Sequence, residues 1–370
     1  KSGNKELKNT LIIMLLPLAN EVALQYLKHR CNYEAIGIEY EDGLPKEAYI
    51  SALKEEFCSE PKWVLLMLPK VMLDFLTEVW ENSVIAMTEE RWNYIEYLKI
   101  FGFLAYQMGN PVTDEPNRLI VVEEMKDNFY FLLKSRKNRK LLSVYDEWEK
   151  IITGFMYYYG FIETRTLYSL FLKVSKKVIS YEDFLLFIKC RTSLWPFGAI
   201  LKDTFEKNEY FQYLNVENPD MLLEYVRQHE NLPYKPIKLE DLMYVSDAAG
   251  IDNRWRGVSE LGNLFIDKMG LNYYRATVLV RTLLIMIKNG SSYEKLQEKV
   301  SILSFENAQI REEVQQAVRQ IFENVPVFEY KGYSRAEYKR LSYQKQLKKR
   351  KHMSASKRKN LFTIIDGGKE

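Results

Sequence analysis

Leu141-Leu-Ser-Val-Tyr-Asp-Glu-Trp-Glu-Lys-Ile-Ile-Thr-Gly-Phe-Met-Tyr-Tyr-Tyr-Gly160 opens the stretch that decides the fold class. It predicts a helix from Leu141 to Tyr159 that stops at Gly160. A shorter helix is expected over Thr164–Val174 and a third over Ser180–Thr192. Ser180 and Asp183 have the spacing of a capping box, with Asp in place of the usual Glu or Gln. Trp195-Pro-Phe-Gly198 then breaks the chain, and Ala199–Leu214 reads as a hairpin turning at Lys207-Asn208. Helix, helix, helix, hairpin is the order of a winged helix.

Toward the N-terminus the same logic gives a vaguer copy. From Trp63 to Trp80, Leu65, Leu66, Leu68, Met72, Leu73, Leu76 and Trp80 follow the 3.6-residue period of an amphipathic helix. Thr88 is placed to cap a helix over Glu89–Phe101, with Glu89 and Glu90 in its first turn and Gly102 ending it. Phe103–Tyr106 and Leu119–Val122 bracket the turn-rich Gly109–Pro116, which predicts a hairpin.

Toward the C-terminus helices are expected over Val258–Met269, Tyr273–Lys288, Tyr293–Leu303 and Glu306–Phe322. The last carries one apolar stripe, Ile310, Val314, Ala317, Val318 and Ile321, and Pro326 closes it. Glu230–Pro236, with two prolines, reads as the linker between helical bodies. The expected fold is mainly α, multi-helical, with winged-helix-like helix and hairpin units and a C-terminal helical bundle. Its parts are an N-terminal helical module (1–60), a winged-helix-like region with two small hairpins (61–229), the bundle (237–325) and a basic tail (326–370).

The tail carries the main functional signal. Residues 331–370 hold 13 Lys and Arg against 3 Asp and Glu, a net +10. The whole chain is only +3, so the preceding 330 residues sum to −7. A basic run on an acidic body attracts polyanions or an acidic protein face. Lys345, Lys348, Lys349, Arg350, Lys351, Lys357, Arg358 and Lys359 supply the density needed to neutralise phosphates, with RNA as eligible as DNA. Ser334-Arg-Ala-Glu337 is a capping box, so a helix is expected to start there and run to about Lys351.

A secondary candidate is Arg254-Trp255-Arg256, where a guanidinium and an indole could stack a nucleotide base. The plainer account makes Trp255 core and pairs the arginines with Asp247 and Asp252. The third helix of the winged-helix region is a poor groove reader. Glu182 and Asp183 at its start repel phosphates, while Lys189 and Arg191 stand at its far end. That topology suits protein contacts better.

Other chemistries leave no trace. No phosphate loop, dinucleotide fingerprint, HExxH, GxSxG or EF-hand pattern is present. Glu39-Tyr-Glu41-Asp42-Gly43 lacks calcium-loop spacing and reads as a solvated turn. The cysteines, Cys31, Cys58 and Cys190, are odd in number and far apart, which implies a reducing compartment and no disulfide framework. The histidines, His29, His229 and His352, have no zinc-site spacing. The apolar run Leu11–Leu18 is too short to span a bilayer, is interrupted by Pro17, and precedes no small-x-small cleavage pattern. A buried helix and a cytoplasmic location are expected, with no cofactor and no membrane. An enzyme with an unrecognised site remains the third class, after nucleic-acid binding and a protein adaptor.

Two stretches carry a family resemblance. Lys46-Glu-Ala-Tyr-Ile-Ser-Ala-Leu-Lys-Glu-Glu-Phe57, with Val64-Leu-Leu-Met-Leu-Pro69 and Phe75-Leu76, resembles bacterial cytoplasmic proteins that join a module like the N-terminal domain of transcription terminator Rho to a helical body. Pro326-Val-Phe-Glu-Tyr-Lys-Gly-Tyr-Ser334, ahead of Glu337, is similar to the segment that precedes a SEC-C zinc motif in some of them. No Cys-rich motif follows here, so zinc binding is not carried over. The resemblance implies a bacterial, cytoplasmic, non-enzymatic protein with a connection to nucleic acid.

Overall fold

The computed structural model describes residues 63–82, 85–100, 103–107, 118–121, 123–194, 198–202, 208–248 and 250–344. The expectations for 1–60, for the acidic run at 39–43 and for the tail beyond Gln344 lie outside them. The chain is mainly helical, with two small hairpins. It divides into two compact units, residues 1–152 with 163–214, and residues 153–162 with 215–370. Glu230–Pro236, read from its prolines as the linker, therefore lies within the second unit, and the division falls after Leu214.

In the first unit the amphipathic stretch from Trp63 to Trp80 is two helices, α1 (Trp63–Met67) and α2 (Lys70–Glu81). Pro69 causes the break: it donates no N–H and its fixed φ of −58° suits the residue before a helix. Its carbonyl accepts from Met72 and Leu73 at 3.1 Å and starts α2. Helix α3 (Glu89–Ile100) is capped by Thr88, whose hydroxyl accepts from the Arg91 N–H. The hairpin of β1 (Leu104–Gln107) and β2 (Arg118–Val121) is antiparallel, with Leu104 opposite Val121. Helices α4 (Glu123–Lys134) and α5 (Arg136–Tyr159) follow; α5 begins a turn and a half before the expected Leu141. Phe103 joins Trp80 and Phe129 in the core at ring distances of 6.2 and 5.3 Å.

After β3 (Phe161–Glu163) come α6 (Thr164–Ser175) and α7 (Tyr181–Leu194). Ser180 caps α7 as expected, its hydroxyl accepting from the Asp183 N–H at 3.1 Å. Strands β4 (Ala199–Lys202) and β5 (Glu209–Gln212) form an antiparallel hairpin with Ala199 opposite Gln212. The expected three helices and hairpin are thus present in order, with the short strand β3 added between the first helix and the second. Trp148, Phe171, Phe184 and Phe187 pack the three helices together at ring distances of 5.0 to 5.8 Å.

The second unit holds α8 (Pro219–Gln228), α9 (Leu239–Asp247) and α10 (Val258–Asn263), which continues as a π-helical turn, Leu264–Lys268. Then come α11 (Tyr273–Lys288), α12 (Tyr293–Ser301) and α13 (Ala308–Asn324). The α13 stripe of Ile310, Val314, Ala317, Val318 and Ile321 is buried throughout, and it packs with Val258, Leu261 and Phe265 and with the inner face of α11 in one core. A 3-10 turn, Phe328–Tyr330, leads to a last helix, α14, over 335–344.

Candidate nucleic-acid interface

The third helix of the helix-hairpin region offers little positive charge to solvent. Its first turn carries Glu182 and Asp183, both exposed. Lys189 pairs with Glu209 on β5 at 3.1 Å. Arg191 is wholly buried beside Glu149, with Nε to Oε2 at 3.4 Å, and its neighbour Cys190 is buried too. Helix α7 also packs against α1. Neither basic group is presented to solvent phosphates.

Arg254, Trp255 and Arg256 lie between α9 and α10, and the plainer account largely describes them. Arg254 forks onto Asp252, Nε to Oδ1 at 2.9 Å and Nη2 to Oδ2 at 2.8 Å. Its other nitrogen reaches Asp241 at 2.9 Å, and the guanidinium lies 4.1 Å from the Tyr244 ring centre. Asp241, a partner additional to the expected ones, sits in the first turn of α9. Trp255 is half-buried, edge-on to Tyr158 at 5.9 Å. Arg256 is exposed.

Trp255 also shields a group that sequence reasoning missed. The ammonium of Lys288, the last residue of α11, lies 4.9 Å from the Trp255 ring and 5.3 Å from Tyr157. It donates to the Tyr157 carbonyl at 2.6 Å, in the last turn of α5. Burial pushes the Lys288 pKa down to about 7, against the pull of Asp252, itself buried. In the sequence Lys288 reads as an ordinary basic residue ending a helix; only the aromatic residues around it, distant in the chain, reveal its burial.

The eight basic residues of the tail, Lys345 to Lys359, lie outside the described residues, but their root is defined. The Ser334–Glu337 capping box forms in both directions: the Glu337 carboxylate accepts from the Ser334 N–H at 2.9 Å and the Ser334 hydroxyl from the Glu337 N–H at 3.3 Å. Lys235 holds Glu337 at 2.8 Å. Tyr338 stacks flat on Tyr330 at 4.3 Å and its hydroxyl meets His229 Nε2 at 3.1 Å. Arg335 lies over Phe322 at 4.0 Å and donates to the Ser291 carbonyl. The helix 335–344 that precedes the basic segment is therefore fixed to the second unit. The Pro-aromatic-Gly stretch 326–334 serves this anchorage, with Pro326 bridged to Ser334.

An open cleft of about 350 Å³ between α10 and α13 is lined by Glu260, Asp267, Lys268 and Glu313, charged groups on exposed or half-buried helix faces. Among the described residues no group of three His, Cys, Asp or Glu side chains could hold a metal ion, and no helix is long and apolar enough to cross a membrane. No family model matches the chain, and no curated protein or solved structure is significantly similar to it.

Proposed function

We propose that this is a non-enzymatic nucleic-acid-binding protein whose C-terminal tail neutralises phosphates. The observation that carries the reading is the segregation of charge: a +10 segment of forty residues follows a body of −7. Such a body on balance repels polyanions, so most of the attraction comes from the tail, which follows the anchored helix 335–344. The helix-hairpin region 136–212 fits a winged-helix-like unit used for protein contacts, because its third helix turns acidic groups outward and buries Arg191.

Counterion release gives the test. Binding of full-length protein to RNA and to duplex DNA is titrated against salt, beside a chain ending at Tyr343. The full chain is expected to lose about three to four decades of affinity between low and physiological salt if its eight basic side chains each meet one phosphate. The truncated chain is expected to lose most of its binding and nearly all of its salt slope. Equal affinities for both chains would overturn the tail as the binding element. Capture of an acidic protein by the tail, without retention of nucleic acid at physiological salt, would favour the adaptor instead.

A further inference from the structure

The tail gives affinity without sequence information, because lysines on phosphates do not read bases. A different element of the second unit has the form of a reader. Helix α10 with its π turn, residues 258–268, is joined to α11 by the four residues Met269-Gly-Leu-Asn272. That turn is pinned at both ends. Met269 donates to the Leu264 carbonyl at 3.1 Å and Leu271 to the Phe265 carbonyl at 3.0 Å. Gly270 takes the left-handed φ of 66° that reverses the chain, and the Asn272 side chain caps the Arg275 N–H at 2.9 Å. Two packed helices joined by a short glycine-containing turn have the connectivity of a helix-turn-helix.

The inner face of the second helix, Ala276, Val280, Leu283, Leu284 and Ile287, is buried against Val258, Leu261 and Phe265 of the first. Its outer face is left open. Tyr273 and Tyr274 are 77% and 69% exposed and Val278 is 45% exposed, with Arg275 and Arg281 exposed beside them. Tyr274, Val278 and Arg281 lie one turn apart along one line of the helix. The helix contains no carboxylate. Among the described residues neither the Arg275 nor the Arg281 side chain has an ion pair or hydrogen bond, although Arg254 and Arg335 of the same unit are both engaged. Two free guanidiniums, two phenols and one apolar side chain, on an otherwise acidic body, are complementary to a duplex and its phosphates. Helix α7 of the first unit has the opposite chemistry in the same position, with Glu182 and Asp183 leading it.

We propose that α11 is a groove-reading helix for duplex DNA. Arginine forks match guanine edges in the major groove, Val278 matches a thymine methyl, and the tyrosine hydroxyls reach flanking phosphates. B-form DNA is the fitting duplex, because its major groove admits a helix and that of A-form RNA does not. The inference rests on the nucleic-acid reading above and narrows it: the tail supplies affinity and α11 supplies sequence preference.

The test is selection from a random-sequence duplex library with the full chain, followed by binding of enriched and scrambled duplexes. Two full-length variants are carried through it, Arg275→Ala with Arg281→Ala, and Arg275→Lys with Arg281→Lys. The lysine pair keeps charge and fold while removing the bidentate fork. The unaltered chain is expected to enrich a motif. Both variants are expected to lose roughly tenfold to a hundredfold of the preference for it while binding scrambled duplex nearly as well. A chain that binds duplex without enriching any sequence would overturn the reader and leave the tail reading standing. A preference that survives in the lysine variant, or in both variants, would overturn it equally. A chain that binds RNA but no duplex DNA even at low salt would overturn the reader alone, and one that binds neither, or that instead holds a protein partner through these arginines, would overturn both readings together.

Discussion

Lys288 and Arg191 are basic residues that the fold removes from water, and each makes stability depend on a proton or a partner. For Lys288 the folded pKa of about 7 lies below the ordinary lysine value, so between these limits the unfolded chain binds more protons than the folded one. Stability is therefore expected to rise with pH above about 7, with a slope approaching about 1.4 kcal/mol per pH unit. The rise should end near pH 10, where the buried Tyr158 and Tyr159, whose pKa values burial raises, begin to favour the unfolded chain. Denaturant midpoints across pH 6 to 10 check this, and Lys288→Met should flatten the rise. In the first unit Arg191 makes one charge contact with Glu149, and none of its three nitrogens is hydrogen-bonded among the described residues. Burial raises the Glu149 pKa and Arg191 opposes the rise. Glu149→Gln should cost about 3–5 kcal/mol, because it strands a buried guanidinium. Glu149→Leu combined with Arg191→Met should recover most of that loss, since it removes both desolvation costs. Urea unfolding of the single and double variants gives the coupling.

Elements were legible where local chemistry sets them, and less so where distant residues do. Asn272 and Lys288 bound α11 at the expected positions, because an N-cap and a following Asn-Gly pair are local signals. The α13 stripe was readable for the same reason, and Val314 is fully buried in it. Val314→Asp is expected to lower stability by roughly 3–5 kcal/mol through an unpaired buried charge, seen as a lower thermal midpoint. The break at Pro69 shows that period alone does not decide continuity: the apolar spacing runs through it, but the missing N–H does not. Gly154 inside α5 has no local rationale either, since glycine weakens a helix. Its reason is a crossing: a Cβ there would come within 2.6 Å of the Leu242 carbonyl oxygen of α9. Gly154→Ala should therefore destabilise the second unit, against the gain of about 1 kcal/mol that helix propensity alone gives. Of the site, the exposed face of α11 was invisible for the converse reason: its tyrosines and arginines fit a helix equally well whether covered or bare.

Across the whole chain, charge and burial divide the labour. The contacts that hold helix 335–344, from Lys235–Glu337 to the Tyr330–Tyr338 stack, all lie before Tyr343. Ending the chain at Tyr343 is therefore expected to leave the thermal midpoint within about a degree of the full chain in the absence of nucleic acid. Adding nucleic acid should raise the midpoint of the full chain alone, because a ligand stabilises only the form it binds.

The buried thiol of Cys190 turns the first unit into its own stopwatch. Burial pushes its pKa up to about 12, so a thiol reagent meets almost no thiolate until the helices around it part. The second unit contains no cysteine, and Trp255 is its single tryptophan. With Cys31 and Cys58 replaced by serine, the rate of labelling at Cys190 times the opening of one unit. A Trp255→Phe difference in fluorescence follows the other. If the units open independently, Val314→Asp should quicken the loss of the Trp255 signal and leave the labelling rate of Cys190 where it was.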